Sequence, residues 1–187
     1  MTTAGALLLA PGAGSDRMHA SLVAIEDAVA PLPVERMDFP YRKAGKRPPD
    51  RAPVLLASVR AEAEALVARA GIAPERLVLG GRSMGGRMCS MAVADGLGSA
   101  GLVLICYPLH PPGKPENLRT EHLPRLTVPC LFIHGTRDPF ATPEELQTWT
   151  ATIPGPVTHV WIEGKGHDLK GADQRIATTV ADWLTSF

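Results

Sequence analysis

A serine within the pentapeptide Gly-Arg-Ser-Met-Gly, residues 81–85, has the surroundings that most favour nucleophilic chemistry. A serine hydroxyl attacks a carbonyl only when a base takes its proton, and a Gly-x-Ser-x-Gly turn between a strand and a helix presents that hydroxyl in the open. An apolar run precedes the pentapeptide and a helical pattern follows it. The turn also places Ser83 at a helix N-terminus, where free amide groups stabilise a developing oxyanion. The pentapeptide alone is equally consistent with a plain strand-to-helix turn.

An acid and a base follow Ser83 along the chain. Asp138 comes after the apolar run 130–134, and His167 comes after the run 157–162. If both runs are strands of one parallel sheet, their carboxyl ends lie at the edge that carries Ser83. The order Ser, Asp, His therefore predicts a triad in which Ser83 is the nucleophile, His167 the general base and Asp138 the carboxylate that orients it.

Other titratable residues fit this arrangement less well. Asp168 adjoins His167 and would have to fold back to orient its ring, and the fourth predicted strand is followed by no carboxylate before Glu116. His19 and His110 are candidates for the lining of a pocket. His134 and His159 are expected to be structural, and His122 is expected to be a surface or hydrogen-bonded histidine.

The segment Gly12-Ala13-Gly14 follows the first apolar run and suits half of an oxyanion hole. We expect the backbone amides of Ala13 and Met84 to hold the oxyanion, with Gly12 and Gly14 close to the substrate because glycine permits a close approach of backbone. A simple turn or a phosphate-binding loop is the alternative. Nucleotide binding is disfavoured, because the last glycine of a G-x-G-x-x-G fingerprint is replaced by Arg17 and the lysine of a P-loop is missing.

Strand-like and helix-like patterns alternate along the chain, which predicts an α/β three-layer sandwich with a mostly parallel sheet of about six strands. The whole chain, residues 1–187, is expected to form one domain. The first helix is expected to begin at Ser15 or Asp16 and to bury Met18. Residues 40–52 are basic and lack a hydrophobic period, which predicts a loop. The predicted strands cover 6–10, 34–39, 76–80, 101–106, 130–134 and 157–162.

The composition argues against partners of strong charge. Lysine and arginine number 19, as do aspartate and glutamate, so nothing points to nucleic acid or to an anionic membrane surface. The three cysteines, at 89, 106 and 130, form no Cys-x-x-Cys and are expected to be free buried thiols. A cytoplasmic location, no metal and no cofactor are the corresponding expectations, and the oligomeric state stays open.

The chain resembles the α/β-hydrolases related to dienelactone hydrolase. The resemblance is carried by Pro11–Gly14, Phe39–Tyr41 with Pro49–Arg51, Gly80–Arg87, Gly135–Phe140 and Gly166–Asp168. Within that group it is similar to small bacterial proteins that share a domain with a testis-expressed protein and with a regulatory subunit of the non-specific-lethal histone acetyltransferase complex. The resemblance implies a minimal, capless hydrolase fold and the triad roles given above.

Two functions are compatible with these observations. The first is a serine hydrolase that cleaves a small ester or thioester through an acyl-enzyme, with a peptide or a C–C bond as further substrates within the same class. The second is a non-catalytic interaction module on a hydrolase scaffold. Besides Gly12, Gly14 and His19, four residues are candidates for substrate binding, and the last of them lies in a basic loop that could contact an anionic group: Tyr107, His110, Phe140 and Arg42.

Overall fold

A single parallel sheet organises the protein, whose computed structural model describes residues 4–186. Its strand order is β2-β1-β3-β4-β5-β6, and every neighbouring pair is parallel. The chain moves from β1 to one side for β2 and then to the other side for β3, so the strand order reverses between β1 and β3. The strands are β1 Ala6–Ala10, β2 Val34–Arg36, β3 Leu77–Arg82, β4 Gly101–Ile105, β5 Cys130–Gly135 and β6 Val157–Ile162.

Helices cover both faces of this sheet, which confirms the predicted three-layer α/β sandwich. Helices α3, α4 and α5 pack on one face, whereas α1 and α6 pack on the other and against each other. Their bounds are α1 Ala20–Val29, α2 Pro40–Lys43, α3 Ala52–Ala70, α4 Met84–Ala94, α5 Pro143–Thr150 and α6 Asp173–Leu184.

Alternation along the buried strands divides the core into two parts. Ala6, Leu8 and Ala10 of β1 face the helices α3, α4 and α5, whereas Leu7 and Leu9 face α1 and α6. Every residue of β1 is fully buried, as expected for a central parallel strand covered on both faces. Continuous apolar runs therefore form these strands, and polar residues collect where the strands end.

Three local predictions were wrong. Helix α1 begins at Ala20, because the ring Nδ1 of His19 accepts the Ser21 amide as its N-cap, and Met18 lies before the helix with 64% of its surface exposed. Strand β2 ends at Arg36 rather than at residue 39. The basic segment begins with helix α2, which has Pro40 at its first position and buries Tyr41.

A long irregular connection, residues 106–129, joins β4 to β5. Its helical content among the described residues is one 3₁₀ turn, Leu123–Arg125. The connection therefore adds no helical cap over the carboxyl end of the sheet. Across residues 4–186, the structure contains no helix with the length and apolar character needed to cross a membrane.

Candidate active site

Ser83 occupies a tight turn between β3 and α4. Its backbone angles are φ 47° and ψ −118°, in a region that a residue with a side chain seldom adopts. The turn is held because the Ser83 amide donates to the Ile105 carbonyl at 2.8 Å, and the Arg87 amide donates to the Ser83 carbonyl at 3.0 Å. The hydroxyl is thereby placed beyond the carboxyl ends of the strands, beside the switch point between β1 and β3.

Two glycines allow this turn to press against the end of β1. A Cβ on Gly81 would lie 2.0 Å from the Ala10 carbonyl oxygen, and a Cβ on Gly85 would lie 2.4 Å from the same atom. These distances are far below van der Waals contact, and the atoms met are backbone atoms that cannot rotate away. Glycine is therefore required at both positions for Ser83 to sit directly beside the Gly12–Gly14 loop.

The structure brings Ser83, His167 and Asp138 into one chain of hydrogen bonds. His167 Nε2 lies 2.9 Å from Ser83 Oγ, and His167 Nδ1 lies 2.7 Å from Asp138 Oδ2. The carboxylate can only accept, so Nδ1 carries the proton and Nε2 is free to accept the serine proton. These three residues follow β3, β6 and β5, three strands whose carboxyl ends meet at the same edge of the sheet.

Asp138 is buried and fully engaged. Its Oδ1 accepts the Phe140 amide at 2.9 Å, and His134 Nε2 lies 3.5 Å from Oδ2. The ring of Phe140 stacks on that of His167 with centroids 4.0 Å apart. The orientation of the imidazole is therefore fixed both at its edge and on its face.

A neighbouring thiol does not turn this cluster into an evident metal site. Ligand atoms of Cys106, Asp138 and His167 lie within 4.8 Å of one another. Burial raises the pKa of the Cys106 thiol to about 12, so the group is protonated at neutral pH, whereas metals bind the thiolate. The protonated Cys106 thiol therefore fits the hydrogen-bonded chain of Ser83, His167 and Asp138 better than it fits a metal site.

Arg82 holds the backbone that carries His167. Its Nη2 donates to the carbonyls of His167 and Asp168 at 3.1 and 3.0 Å, and Nη1 lies 3.4 Å from Ser21 Oγ. The side chain of this last β3 residue is almost entirely buried. Arg82 therefore links the strand before Ser83 to the loop after β6. Sequence reasoning assigned no role to it, because the loop it binds lies 85 residues away.

The amides expected to form an oxyanion hole are unengaged. Among the hydrogen bonds of residues 4–186, neither the Ala13 nor the Met84 amide donates to a protein acceptor. Met84 is the first residue of α4, where an amide has no partner within the helix. The Tyr41 hydroxyl donates to the Ala13 carbonyl at 2.9 Å and so fixes the loop from behind. This role of Tyr41 follows from α2, which sequence analysis had treated as loop.

A cavity of about 570 Å³ opens above Ser83, a size typical of small-molecule sites. Four of the predicted substrate-binding residues line it, namely Gly12, Gly14, His19 and Phe140. Pro108 and Arg119 of the long connection form one wall. The remaining lining residues include Ala13, Ser15, Arg82, Ser83, Met84, Arg87, His167 and Asp168.

The structure does not bring the other three predicted residues to this cavity. The Tyr107 ring is buried against Phe132, with centroids 5.8 Å apart, because the chain turns inward after Cys106. His110 is almost wholly buried and lies 3.4 Å from Glu145 Oε2. Arg42 pairs with Asp16 at 3.4 Å and lines a separate surface depression.

His19 enters the cavity as a neutral ring. Burial lowers its pKa, and the charge of Arg82 lowers it further. Its Nδ1 accepts the Ser21 amide at 3.2 Å, so the proton of the neutral ring lies on Nε2. The residue can therefore cap α1 and still offer one donor to a ligand.

Arg87 and Arg119 are two lining residues that sequence analysis missed. Burial lowers the pKa of Arg87, and the charge of Arg119 lowers it further. The Arg87 Nε is buried and lacks a hydrogen-bond partner in the described chain. A motif reading could have found Arg87, since it is four residues after Ser83, but it gives no reason to pair it with Arg119.

Comparison with known proteins supports this fold over its full length. Est1E from Butyrivibrio proteoclasticus matches with a TM-score of 0.75 and 13% identity, covering 100% of this chain and 89% of that one. A putative α/β-superfamily hydrolase from Xanthomonas campestris matches with a TM-score of 0.71 and 21% identity, covering 98% of this chain and 99% of that one. Dienelactone hydrolase from Anabaena variabilis matches with a TM-score of 0.77 and 17% identity, covering 99% of this chain and 87% of that one.

A family model also matches the sequence itself. The model describes an alpha/beta hydrolase domain, and it covers residues 3–186. That span contains the turn at Ser83, the loop at Ala13 and all six strands of the sheet. The protein therefore belongs to the α/β-hydrolase domain family.

Proposed function

We propose that the protein is a serine hydrolase that cleaves a small ester or thioester through an acyl-enzyme. The observation that carries the proposal is the bridging position of His167, 2.9 Å from Ser83 Oγ and 2.7 Å from Asp138 Oδ2. This is the distance at which a base can take the proton of a nucleophile. The family membership supports the proposal, because hydrolase chemistry is expected at this edge of such a sheet.

In the first half of the reaction, Ser83 Oγ attacks the substrate carbonyl and its proton passes to His167 Nε2. Asp138 stabilises the resulting imidazolium through the Nδ1 hydrogen bond. The carbonyl oxygen becomes an oxyanion, which accepts hydrogen bonds from the Ala13 and Met84 amides. His167 then returns its proton to the leaving group, the tetrahedral centre collapses, and the acyl group stays on Ser83.

In the second half, water takes the position of the leaving group. His167 accepts a proton from this water as it attacks the acyl carbonyl, and the same two amides hold the second oxyanion. Collapse returns the proton to Ser83 and releases a carboxylic acid. The protein's own side chains supply every proton transfer in this sequence, so the proposal requires neither a metal nor a cofactor.

The size and openness of the site support a small substrate with a good leaving group. The cavity of about 570 Å³ is bounded by the Gly12–Gly14 loop, Phe140 and the 106–129 connection, with no helical cap above it. A similar structure is named a dienelactone hydrolase, a name that specifies lactone hydrolysis. Esters and thioesters are the acyl compounds that such an arrangement cleaves most readily.

The direct test is labelling by a fluorophosphonate, which reacts with activated serines. We expect stoichiometric labelling of the wild-type protein and none of Ser83→Ala or His167→Ala. A matched control is Ser99→Ala, because Ser99 Oγ binds the Leu77 and Gly101 carbonyls at the opposite end of the sheet. This variant should label like the wild type, and a panel of short- and medium-chain esters and thioesters then measures kcat/KM.

Two results would contradict the mechanism. One is hydrolysis that persists in Ser83→Ala at the wild-type rate. The other is a folded wild-type protein that reacts neither with the probe nor with any ester of the panel. The second result would favour the alternative, a non-catalytic interaction module on the same scaffold.

A further inference from the structure

We propose that Arg87 and Arg119 form a subsite for a carboxylate on the substrate of Ser83. Both residues line the cavity above Ser83, and we refer to the pair as the arginine wall. The inference rests on the proposed function and narrows it, since it makes the substrate an anionic ester or thioester. It replaces the anion-binding role that the sequence suggested for the basic loop at Arg42.

The guanidinium groups of the arginine wall lack a protein counter-ion. Arg87 Nη1 has only a weak contact, 3.9 Å from Met91 Sδ, and Arg87 Nε is buried without a partner. No carboxylate within residues 4–186 forms an ion pair with either guanidinium. Glu121 acts weakly on Arg87 through its charge, but it is exposed to solvent and makes no ion pair with either arginine.

Several other arginines of the surface are paired with carboxylates. Arg42 binds Asp16, and Lys43 binds Glu62 at 2.7 Å, so both cations of helix α2 already have a carboxylate partner. The arginine wall differs from these paired arginines, because it lies in the cavity above Ser83 and includes a buried guanidinium nitrogen without a partner. Carboxylates also pair with Arg17, Arg36, Arg69 and Arg125.

Placing the partly buried cation of Arg87 near the charge of Arg119 is unfavourable in the free protein. The lowered pKa of Arg87 expresses both costs, first burial and then repulsion from Arg119. A bound carboxylate reverses both, because it supplies opposite charge and accepts hydrogen bonds from planar guanidinium groups in a paired geometry. A neutral ligand group offers neither compensation.

One hydrogen-bond network fixes the backbone of both arginines. Ser90 Oγ donates to the Arg87 carbonyl at 2.9 Å, and Tyr107 Oη donates to the Arg119 carbonyl at 2.9 Å. His122 Nε2 joins them, 2.8 Å from Ser90 Oγ and 3.3 Å from Tyr107 Oη. The backbone that carries the wall is therefore preorganised, which reduces the entropy lost when a ligand binds.

The sequence spacing places the wall close to the reacting carbonyl. Arg87 follows Ser83 by four residues, about one turn along α4, and both residues line the same cavity. A carboxylate a few bonds away from the scissile carbonyl can reach the wall while Ser83 reaches the carbonyl. It can belong to the acyl part or to the leaving group.

Binding to the inactive Ser83→Ala protein tests the subsite without any catalysis. The probe is mono-4-nitrophenyl glutarate, compared by calorimetry with its neutral methyl ester. We expect the anionic probe to bind about 10- to 100-fold more tightly, as hydrogen bonds to charged groups imply. Adding Arg87→Met or Arg119→Met should remove this difference, whereas the added control Arg125→Met should keep it, since Arg125 pairs with Asp95 on the exterior.

Kinetics on proteins with Ser83 intact then locate the carboxylate. One arm compares the same two glutarates, which differ in the acyl part. The other compares 4-butanoyloxybenzoate with its methyl ester, which differ in the leaving group. In one of these two comparisons the wild type should prefer the anion, and both wall variants should lose that preference. That comparison shows whether the carboxylate belongs to the acyl part or to the leaving group. Thermal unfolding establishes that each variant is folded, and Arg119→Met is the safer variant because it lies in an irregular segment.

The outcomes separate this inference from the proposed function. Equal binding of anionic and neutral probes by Ser83→Ala overturns the subsite, even if the wild type hydrolyses both. So does an anion preference that survives in Arg87→Met and Arg119→Met. If the anion preference depends on the wall but the wild type hydrolyses no ester, the subsite stands and the hydrolase proposal fails.

Discussion

The two sides of the cavity differ in how completely the protein satisfies its own charges. On the His167 side, the Asp138 carboxylate accepts from His167 Nδ1 and from the Phe140 amide. On the other side, Arg87 and Arg119 face the cavity without a carboxylate partner among the described residues. The first side is complete before a ligand arrives. The second side gains its counter-charge only when an anionic ligand binds. The residues that position His167 are therefore paired within the protein, whereas the proposed ligand-binding arginines are left unpaired.

The largest effect is expected from breaking the complete side at Asp138. In Asp138→Asn the amide oxygen can still accept from Phe140, but its NH₂ group then faces His167 Nδ1 and moves the imidazole proton to Nε2. That nitrogen can no longer take the Ser83 proton, so we expect kcat to fall about 10⁴-fold, as in serine proteases with this change. Ester kinetics at neutral pH measure the loss, with circular dichroism to show an unchanged fold. A loss below tenfold would contradict the orienting role of Asp138.

A smaller loss is expected from releasing the loop that Arg82 holds. Arg82→Met removes the donors to the His167 and Asp168 carbonyls, and a misplacement of the base by about 1 Å costs about 100-fold in rate. KM should change far less than kcat, and Arg82→Lys should recover part of the rate.

Arg60→Met is a matched control for this positioning role. Arg60 Nη2 also donates to two backbone carbonyls, those of Ala92 and Asp95 at 3.3 and 3.1 Å, but at the far end of α4. Its variant should lose stability without a specific fall in kcat. Equal kinetic losses in Arg60→Met and Arg82→Met would show that Arg82 is only a structural residue.

The network behind the arginine wall is expected to be sensitive to acid. Burial, aided by the charge of Arg87, lowers the pKa of His122 to about 4. The unfolded chain takes up a proton near pH 6.5 while the folded protein resists it, so stability is lost as pH falls from about 6.5 towards 4. We expect His122 to account for about 2 kcal/mol of this loss.

Urea unfolding at several pH values measures that contribution. His122→Asn should be less stable than the wild type at pH 7, and the difference should shrink as the pH falls to 4. Other histidines titrate in both proteins, so only the difference between the two curves reports on His122. A difference that stays constant with pH would contradict the assignment.

The smallest expected effect is a gain in stability on removal of Arg87. Arg87→Met removes a partly buried cation that Arg119 repels, and its methionine can pack beside Met91. We expect the free energy of unfolding of the ligand-free protein to rise by about 1 kcal/mol, as is common when a functional site gives up an unfavourable group. Thermal or urea unfolding measures this change, and a clear destabilisation would mean that the arginine is structural. The equivalent change at the paired Arg125 should not stabilise.

The sequence predicts the complete side of the cavity much better than the open one. Ser83, Asp138 and His167 each follow an apolar run, and parallel strands bring their carboxyl ends to one edge, so chain order alone was enough to place them together. Arg119 lies in the irregular 106–129 connection, whose path depends on tertiary packing rather than on local pattern. Tyr107 was wrongly expected near the cavity, since proximity to a strand end does not reveal that its ring turns inward onto Phe132.

The predicted elements show the same division. Long runs such as that of β1 were correctly placed, because burial on both faces leaves a continuous apolar signature. The segment 40–52 was misjudged, since α2 has only four residues and too short a span to show a helical period. Its one buried side chain, Tyr41, nonetheless supports the Ala13 loop. The narrower likeness to the testis-expressed and non-specific-lethal proteins stays a prediction.

The contact of Gly81 and Gly85 with the Ala10 carbonyl has a consequence for how such a protein can diversify. The end of β1 and the turn at Ser83 are about seventy residues apart in the chain, and both glycines of the turn contact the same carbonyl oxygen. A larger residue at either glycine therefore requires the end of β1 to move away. Single changes there are blocked, and only paired changes are open. The 106–129 connection is free of this restriction. New specificities in a scaffold of this kind should therefore arise by substitutions in that connection. The two glycines and the end of β1 should be retained together.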